Sequence, residues 1–206
     1  MKKAIAILAV LSLAAFAGQA AAVSLDPIPQ SDTDRLSYDD GTAAWYTWGG
    51  MFRGVWFNVQ DFNPVATGAI VQSAEFWFYH SSTGNAWDTS QVYLEIWGGN
   101  SAAPDGQINQ TQVTAAHYAP TVADYTAAPL TVEPNFWALI NTEMSSGGWP
   151  SALCDGVATT HSFATEDFVV WEPWSYNYFI RVDADIIVDT TSALGSTTWG
   201  SLKAAF

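Results

Sequence analysis

Basic residues are scarce in this chain. Six Lys and Arg stand against 20 Asp and Glu in 206 residues. Two of the six, Lys2 and Lys3, belong to a short basic start followed by the apolar run Ala4–Ala17 and the small residues Ala20, Ala21 and Ala22. That order is the pattern of a secretory signal peptide over residues 1–22. Its removal leaves Arg35, Arg53, Arg181 and Lys203 against the 20 acidic residues, a net charge of −16. Such a surface repels phosphate backbones and anionic lipid, so nucleic acid is excluded as a partner and membrane insertion is disfavoured.

Cysteine is nearly absent too. With Cys154 alone, no disulfide can form within the chain, and stability must come from burial. The thiol is either a small buried apolar group or a link between chains. Beyond the N-terminus no apolar run approaches the roughly 20 residues of a membrane-spanning helix, and no amphipathic helical stretch stands out. There is no Gly-x-Ser-x-Gly turn to present a nucleophile, and His80, His117 and His161 fall in separate segments. A hydrolytic triad therefore lacks support, as does a zinc or other transition-metal centre.

Aromatic residues are abundant: 11 Trp, 11 Phe and 8 Tyr supply large apolar areas for a core. Alternating segments separated by Gly, Pro and Asn recur along the chain. They include Val55–Val59, Val71–Tyr79, Gln91–Trp97, Asn135–Asn141 and Tyr176–Val188, with weaker candidates at Ile108–Val113, Thr121–Thr126, Ser151–Cys154, Thr160–Phe163 and Phe168–Trp171. Many short strands without helices predict an all-β fold, a two-sheet antiparallel β-sandwich of jelly-roll type. The expected division is signal peptide 1–22, leader 23–34, sandwich domain 35–188 and C-terminal tail 189–206.

Several motifs follow one another in a recognisable order. Leu36-Ser37-Tyr38-Asp39-Asp40-Gly41 comes first, then Val55–Val59 leading into Phe62-Asn63-Pro64. Phe76–Tyr79 and Val92–Trp97 follow, with Pro104 just beyond. Next are Phe136–Ile140, Pro150, Asp155-Gly156 and finally Tyr178–Val182. This series resembles the jelly-roll-like β-sandwich accessory modules of large secreted or surface proteins of Gram-negative and candidate-phylum bacteria. The resemblance spans roughly Leu36–Val182 and implies a non-catalytic module, with no catalytic residues to carry over. The closing Thr198–Lys203 is similar to tail segments of such exported proteins.

Candidate site residues come from the strand faces. Side chains alternate across a strand, so Phe76 and Phe78 point one way while Glu75, Trp77 and Tyr79 point the other. Val92, Leu94 and Ile96 likewise oppose Tyr93, Glu95 and Trp97. If the two strands form an antiparallel hairpin in which Phe76 faces Ile96, then Glu75, Trp77, Tyr79, Tyr93, Glu95 and Trp97 share one surface. Flat rings suit the apolar faces of sugars and carboxylates suit their hydroxyls, so that surface is the candidate ligand face. The same pairs also have a structural use as cross-strand packing. In this register Glu75 and Glu95 are diagonal neighbours about 7–8 Å apart, within the roughly 5–9.5 Å that glycosidase carboxylates span.

Oxygen ligands for a structural calcium are sought at Asp39 and Asp40; no other cofactor is expected. Arg181, Asp183 and Asp185 read as a solvated charged stripe. The resulting expectation is a secreted or cell-surface module, not an enzyme, that binds a glycan or another surface protein or serves an extracellular structural role. A jelly-roll glycoside hydrolase and a small outer-membrane β-barrel are the alternatives.

Overall fold

The computed structural model describes residues 23–24, 34–47, 51–79, 90–145 and 150–188. The expected signal peptide, most of the leader, residues 48–50, 80–89 and 146–149, and the expected tail from 189 onward lie outside the described residues.

Two antiparallel sheets stack into a sandwich and do not close into a barrel. A small ribbon of β1 (Val23–Ser24) and β3 (Thr42–Ala43) stands beside them. The first sheet holds β2 (Asp34–Leu36), β4 (Trp45–Thr47), β6 (Ala66–Tyr79) and β9 (Pro120–Asp124). It also holds β10 (Leu130–Val132), β12 (Ser151–Ala158), β15 (Tyr176–Tyr178) and β16 (Ile180–Val188). The second sheet runs β14 (Glu172–Pro173), β13 (Ser162–Thr165), β5 (Phe52–Asn58), β11 (Asn135–Asn141), β7 (Gln91–Asn100), β8 (Ala103–Thr114). From β5 to β15 the chain changes sheet repeatedly, crossing between the two layers instead of running as a meander.

The alternating apolar residues do what their period demands. Phe57 of β5, Phe76 and Phe78 of β6, Leu94 and Ile96 of β7 and Phe136 of β11 are all fully buried between the sheets. Each such side chain contributes about 1.5–3 kcal/mol relative to exposure. Phe57 and Phe136, directly opposite on paired strands, stack with centroids 5.2 Å apart.

The hairpin expected of Val71–Tyr79 and Gln91–Trp97 does not form. β6 is flanked on one side by β16, with Glu75 opposite Arg181, and on the other by β9, with Glu75 opposite Val122. Both of its edges are occupied, so β7 takes its place in the second sheet between β11 and β8. The core faces of β6 and β7 therefore meet across the sandwich instead of lying side by side. Two other expectations change. Phe168–Trp171 is a loop, not a strand. The last long segment is broken at Phe179, whose backbone bonds to both Leu153 and Trp77.

Candidate functional site

The separation of β6 and β7 splits the expected ligand face between the two outer surfaces of the sandwich. Glu75, Trp77 and Tyr79 lie on the first sheet, while Tyr93, Glu95 and Trp97 lie on the second. Glu75 and Glu95 are thus not diagonal neighbours, and the carboxylate pair drawn from the hairpin register is not formed.

On the first sheet this surface is covered. Glu75 is 1% exposed and accepts bonds from Arg35 Nη2 at 2.7 Å, Arg181 Nη1 at 3.2 Å and the Trp77 indole. Arg35 also reaches Asp183 at 3.0 Å, and Arg181 reaches Asp39 at 2.5 Å. Burial opposes the charge of both guanidiniums, yet the bonds and charge of their carboxylate partners carry both pKa values above the ordinary arginine value. Trp77 is buried among Ala43, Leu153 and Phe179, and Tyr79 packs edge-on against Tyr118. A sugar ring has no access to Trp77. The supposed charged stripe is accordingly mixed: Arg181 is internal and Asp183 half-buried, while Asp185 is exposed.

Asp39 belongs to the same internal network, and the exposed Asp40 adjoins it. The Asp39 carboxylate is occupied by Arg181 and by the Gly41 amide, and Asp40 Oδ1 accepts the Thr42 amide at 2.8 Å. Gly41 adopts φ +80, where a side chain is strained. Asp155, fully buried, locks the turn by accepting the Asp40 amide at 3.1 Å. These residues build a turn in which both Asp39 oxygens and Asp40 Oδ1 accept bonds within the chain.

The second sheet presents a different surface. Its outer face carries Phe52, Trp137, Leu139 and Phe163, which the loop 166–171 caps with Phe168 and Trp171. Beside this cap opens a cleft of about 230 Å³. Phe52, Trp97 and Phe168 form its aromatic wall, and Glu95, Gln110 and Asn141 its polar floor, with Gln107 and Glu143 at the rim. Trp97 and Phe168 are half-buried, their ring centroids 4.8 Å apart, and Phe168 meets Phe52 edge-on at 4.9 Å. Tyr93 sits on the same face opposite Asn141, outside the cleft lining.

The floor is fixed by hydrogen bonds. Glu95, 1% exposed, accepts Trp97 Nε1 at 2.6 Å on Oε2, and Gln110 Nε2 and Asn141 Nδ2, each at 2.8 Å, on Oε1. Asn141 Oδ1 in turn accepts the Glu143 amide at 2.9 Å. The wall depends on a turn in which Asp167 Oδ1 accepts the amides of Val169 at 2.9 Å and Val170 at 3.3 Å. Those bonds hold the Asp167 carboxyl below the usual carboxylate range, Val169 contributing most. Between them Phe168 sits at φ 62, a left-handed conformation uncommon for an aromatic residue. Backbone strain of this kind persists only where surrounding contacts impose it.

Asn141 was legible by parity, since it shares a strand face with Trp137 and Leu139. Phe168 carried no such signal, because it lies in a loop far along the chain. A second cleft of about 340 Å³ is lined by Tyr38, His161, Asn177 and small residues of the 157–160 segment. There Tyr38 stacks on His161 at 3.7 Å and donates its hydroxyl to Asp61 at 2.7 Å. Its rings are stacked on one another, whereas the Trp97 cleft sets its rings beside a polar floor. Compared with known proteins, the chain matches no family model and no curated sequence.

Proposed function

We propose that the chain is an exported, non-catalytic binding module that holds a glycan on the Trp97–Phe168 wall of the second sheet. One observation carries this reading: half-buried aromatic rings stand beside a pre-ordered set of amide and carboxylate groups in one cleft, Glu95 and Asn141 buried and Gln110 exposed. Rings of that kind cover the C–H faces of a pyranose, and the floor groups offer both donors and acceptors to its hydroxyls. The signal-peptide pattern at residues 1–22 supports export. A non-catalytic role is favoured because Glu75 and Glu95, the pair that suggested hydrolysis, lie on different sheets.

Titration of tryptophan fluorescence with a panel of soluble oligosaccharides tests the proposal. A saturable response is expected in wild type and its loss in Trp97→Ala, with Trp77→Phe binding normally. Absence of any response, or equal binding by Trp97→Ala, refutes it. A surface protein is the second reading, favoured by Val169 and Val170, which are 76% and 62% exposed beside the cleft.

A further inference from the structure

The two sheets carry the same short motif in unequal surroundings. Glu75-Phe76-Trp77 and Glu95-Ile96-Trp97 each place a glutamate two residues before a tryptophan on an outer face, and each indole donates to its glutamate. Both carboxylates are 1% exposed. Glu75 has two guanidiniums within hydrogen-bond distance. Glu95 has Trp97, Gln110 and Asn141, and among the described residues none of its hydrogen-bond donors is cationic. The three arginines of the chain are committed elsewhere: Arg35 and Arg181 to the first sheet, and Arg53 to the inner face of β5, where it donates to the Pro150 carbonyl.

A buried carboxylate keeps its charge at a desolvation cost that neutral donors offset only in part. Glu75 recovers that cost from cations of its own chain. Glu95 lines an open cleft, with the Trp97 and Phe168 rings beside it and Glu143 at the rim. An ammonium group entering there would gain a charge partner in a low-dielectric floor and a cation–π contact with the wall. The acidic surface of the chain would draw cations toward it. Uronate or sulfate groups would meet repulsion.

We infer that the ligand presents a protonated amine to Glu95, and that it is a glycan containing 2-amino-2-deoxy sugars with free amines. The inference rests on the glycan-binding proposal above. Calorimetry on the full chain with three short oligomers tests it: β-1,4-linked glucosamine, its N-acetylated counterpart and a β-linked uronate. The glucosamine trimer is expected to bind about tenfold tighter than the neutral trimer, and the uronate not to bind. Glu95→Gln should abolish the preference, bringing the affinities of the glucosamine trimer and the neutral trimer together. The exposed rim variant Glu143→Gln should reduce the preference by about twofold to threefold. Each variant changes only one charge of a strongly acidic protein, so diffuse attraction of a polycation would survive both. Equal or tighter binding of the neutral trimer in wild type overturns the amine inference while leaving glycan binding intact. So does a preference that persists in Glu95→Gln. If no oligomer binds, the glycan reading falls. If a lysine-containing peptide then binds in a Glu95-dependent way, the partner is a protein and the amino-sugar inference is overturned.

Discussion

Replacing each buried glutamate by its neutral isostere should give opposite outcomes. In the wild type, Glu75 Oε1 accepts both Trp77 and Arg181, and Oε2 accepts Arg35. A glutamine amide must turn its NH₂ toward one of those donors, and the Arg35 and Arg181 guanidiniums lose their shared counter-charge. Breaking a buried pair costs about 3–5 kcal/mol. Arg35 keeps Asp183 and Arg181 keeps Asp39, so the lower end applies, about 3 kcal/mol. In Glu95→Gln the three donors are neutral, and Gln110 can rotate its amide to offer an oxygen instead. The charge-assisted component of three hydrogen bonds is lost, but the burial of an unpaired charge is relieved. These terms nearly cancel, leaving a change within about 1 kcal/mol of zero. For a domain of this size 1 kcal/mol corresponds to about 2–4 °C. Thermal unfolding followed by near-UV circular dichroism should therefore fall by about 6–12 °C in Glu75→Gln and by no more than about 4 °C in Glu95→Gln. Equal losses, or a larger loss in Glu95→Gln, would refute the assignment of one glutamate to an internal ion network and the other to an unpaired cleft floor.

Burial pushes the Cys154 thiol up to about 12, with a Trp174 contact opposing the rise only in part. A disulfide reagent at pH 8 should leave native protein unlabelled and label one thiol per chain after denaturation. Prompt labelling of the native protein would show the thiol is accessible and reopen pairing between chains. Asp167 gives a pH dependence of known sign. Its folded pKa is depressed, so its contribution is present above the ordinary carboxylate range and disappears as pH falls through the folded value. Oligosaccharide binding at the Phe168 wall should weaken in that acid range, and Asp167→Ala should show the weakened affinity already at pH 7. Unchanged affinity in Asp167→Ala would separate the turn from the wall it is argued to hold.

Strand parity was enough to tell which residues face the core, because a one-residue slip would have exposed Phe76, Phe78, Leu94 and Ile96 together. It was not enough to tell which strands are neighbours. Adjacent segments in a chain usually pair, and the 80–90 interval is short enough for a hairpin, so the local pattern favoured joining β6 to β7. The deciding contacts come from far along the chain: β16 on one side of β6, β9 on the other, and β11 beside β7. The start of β6 was hidden for a different reason. A bulge at Gln72 shifts the register between Ser73 opposite Asp183 and Val71 opposite Ala184. Period two is interrupted there, so Ala66–Ile70 did not read as the same strand. The bulge lets both Ala74 and Val71 point into the core despite their three-residue separation.

The same limit applies to the outer faces. Parity put an acidic residue and two aromatic ones on each outer face, which was right. Whether a face is open depends on what the chain later lays over it. On the first sheet Arg35, Arg181, Ala43 and Phe179 cover Glu75 and Trp77; on the second, the loop 166–171 covers the centre and leaves Trp97 at the margin. Placement of the arginines was the one usable clue. Arg181 alternates with the core-facing Ile180 and Val182 on β16, so it must point outward, yet a residue type this scarce in an acidic chain is more often spent internally than on solvent.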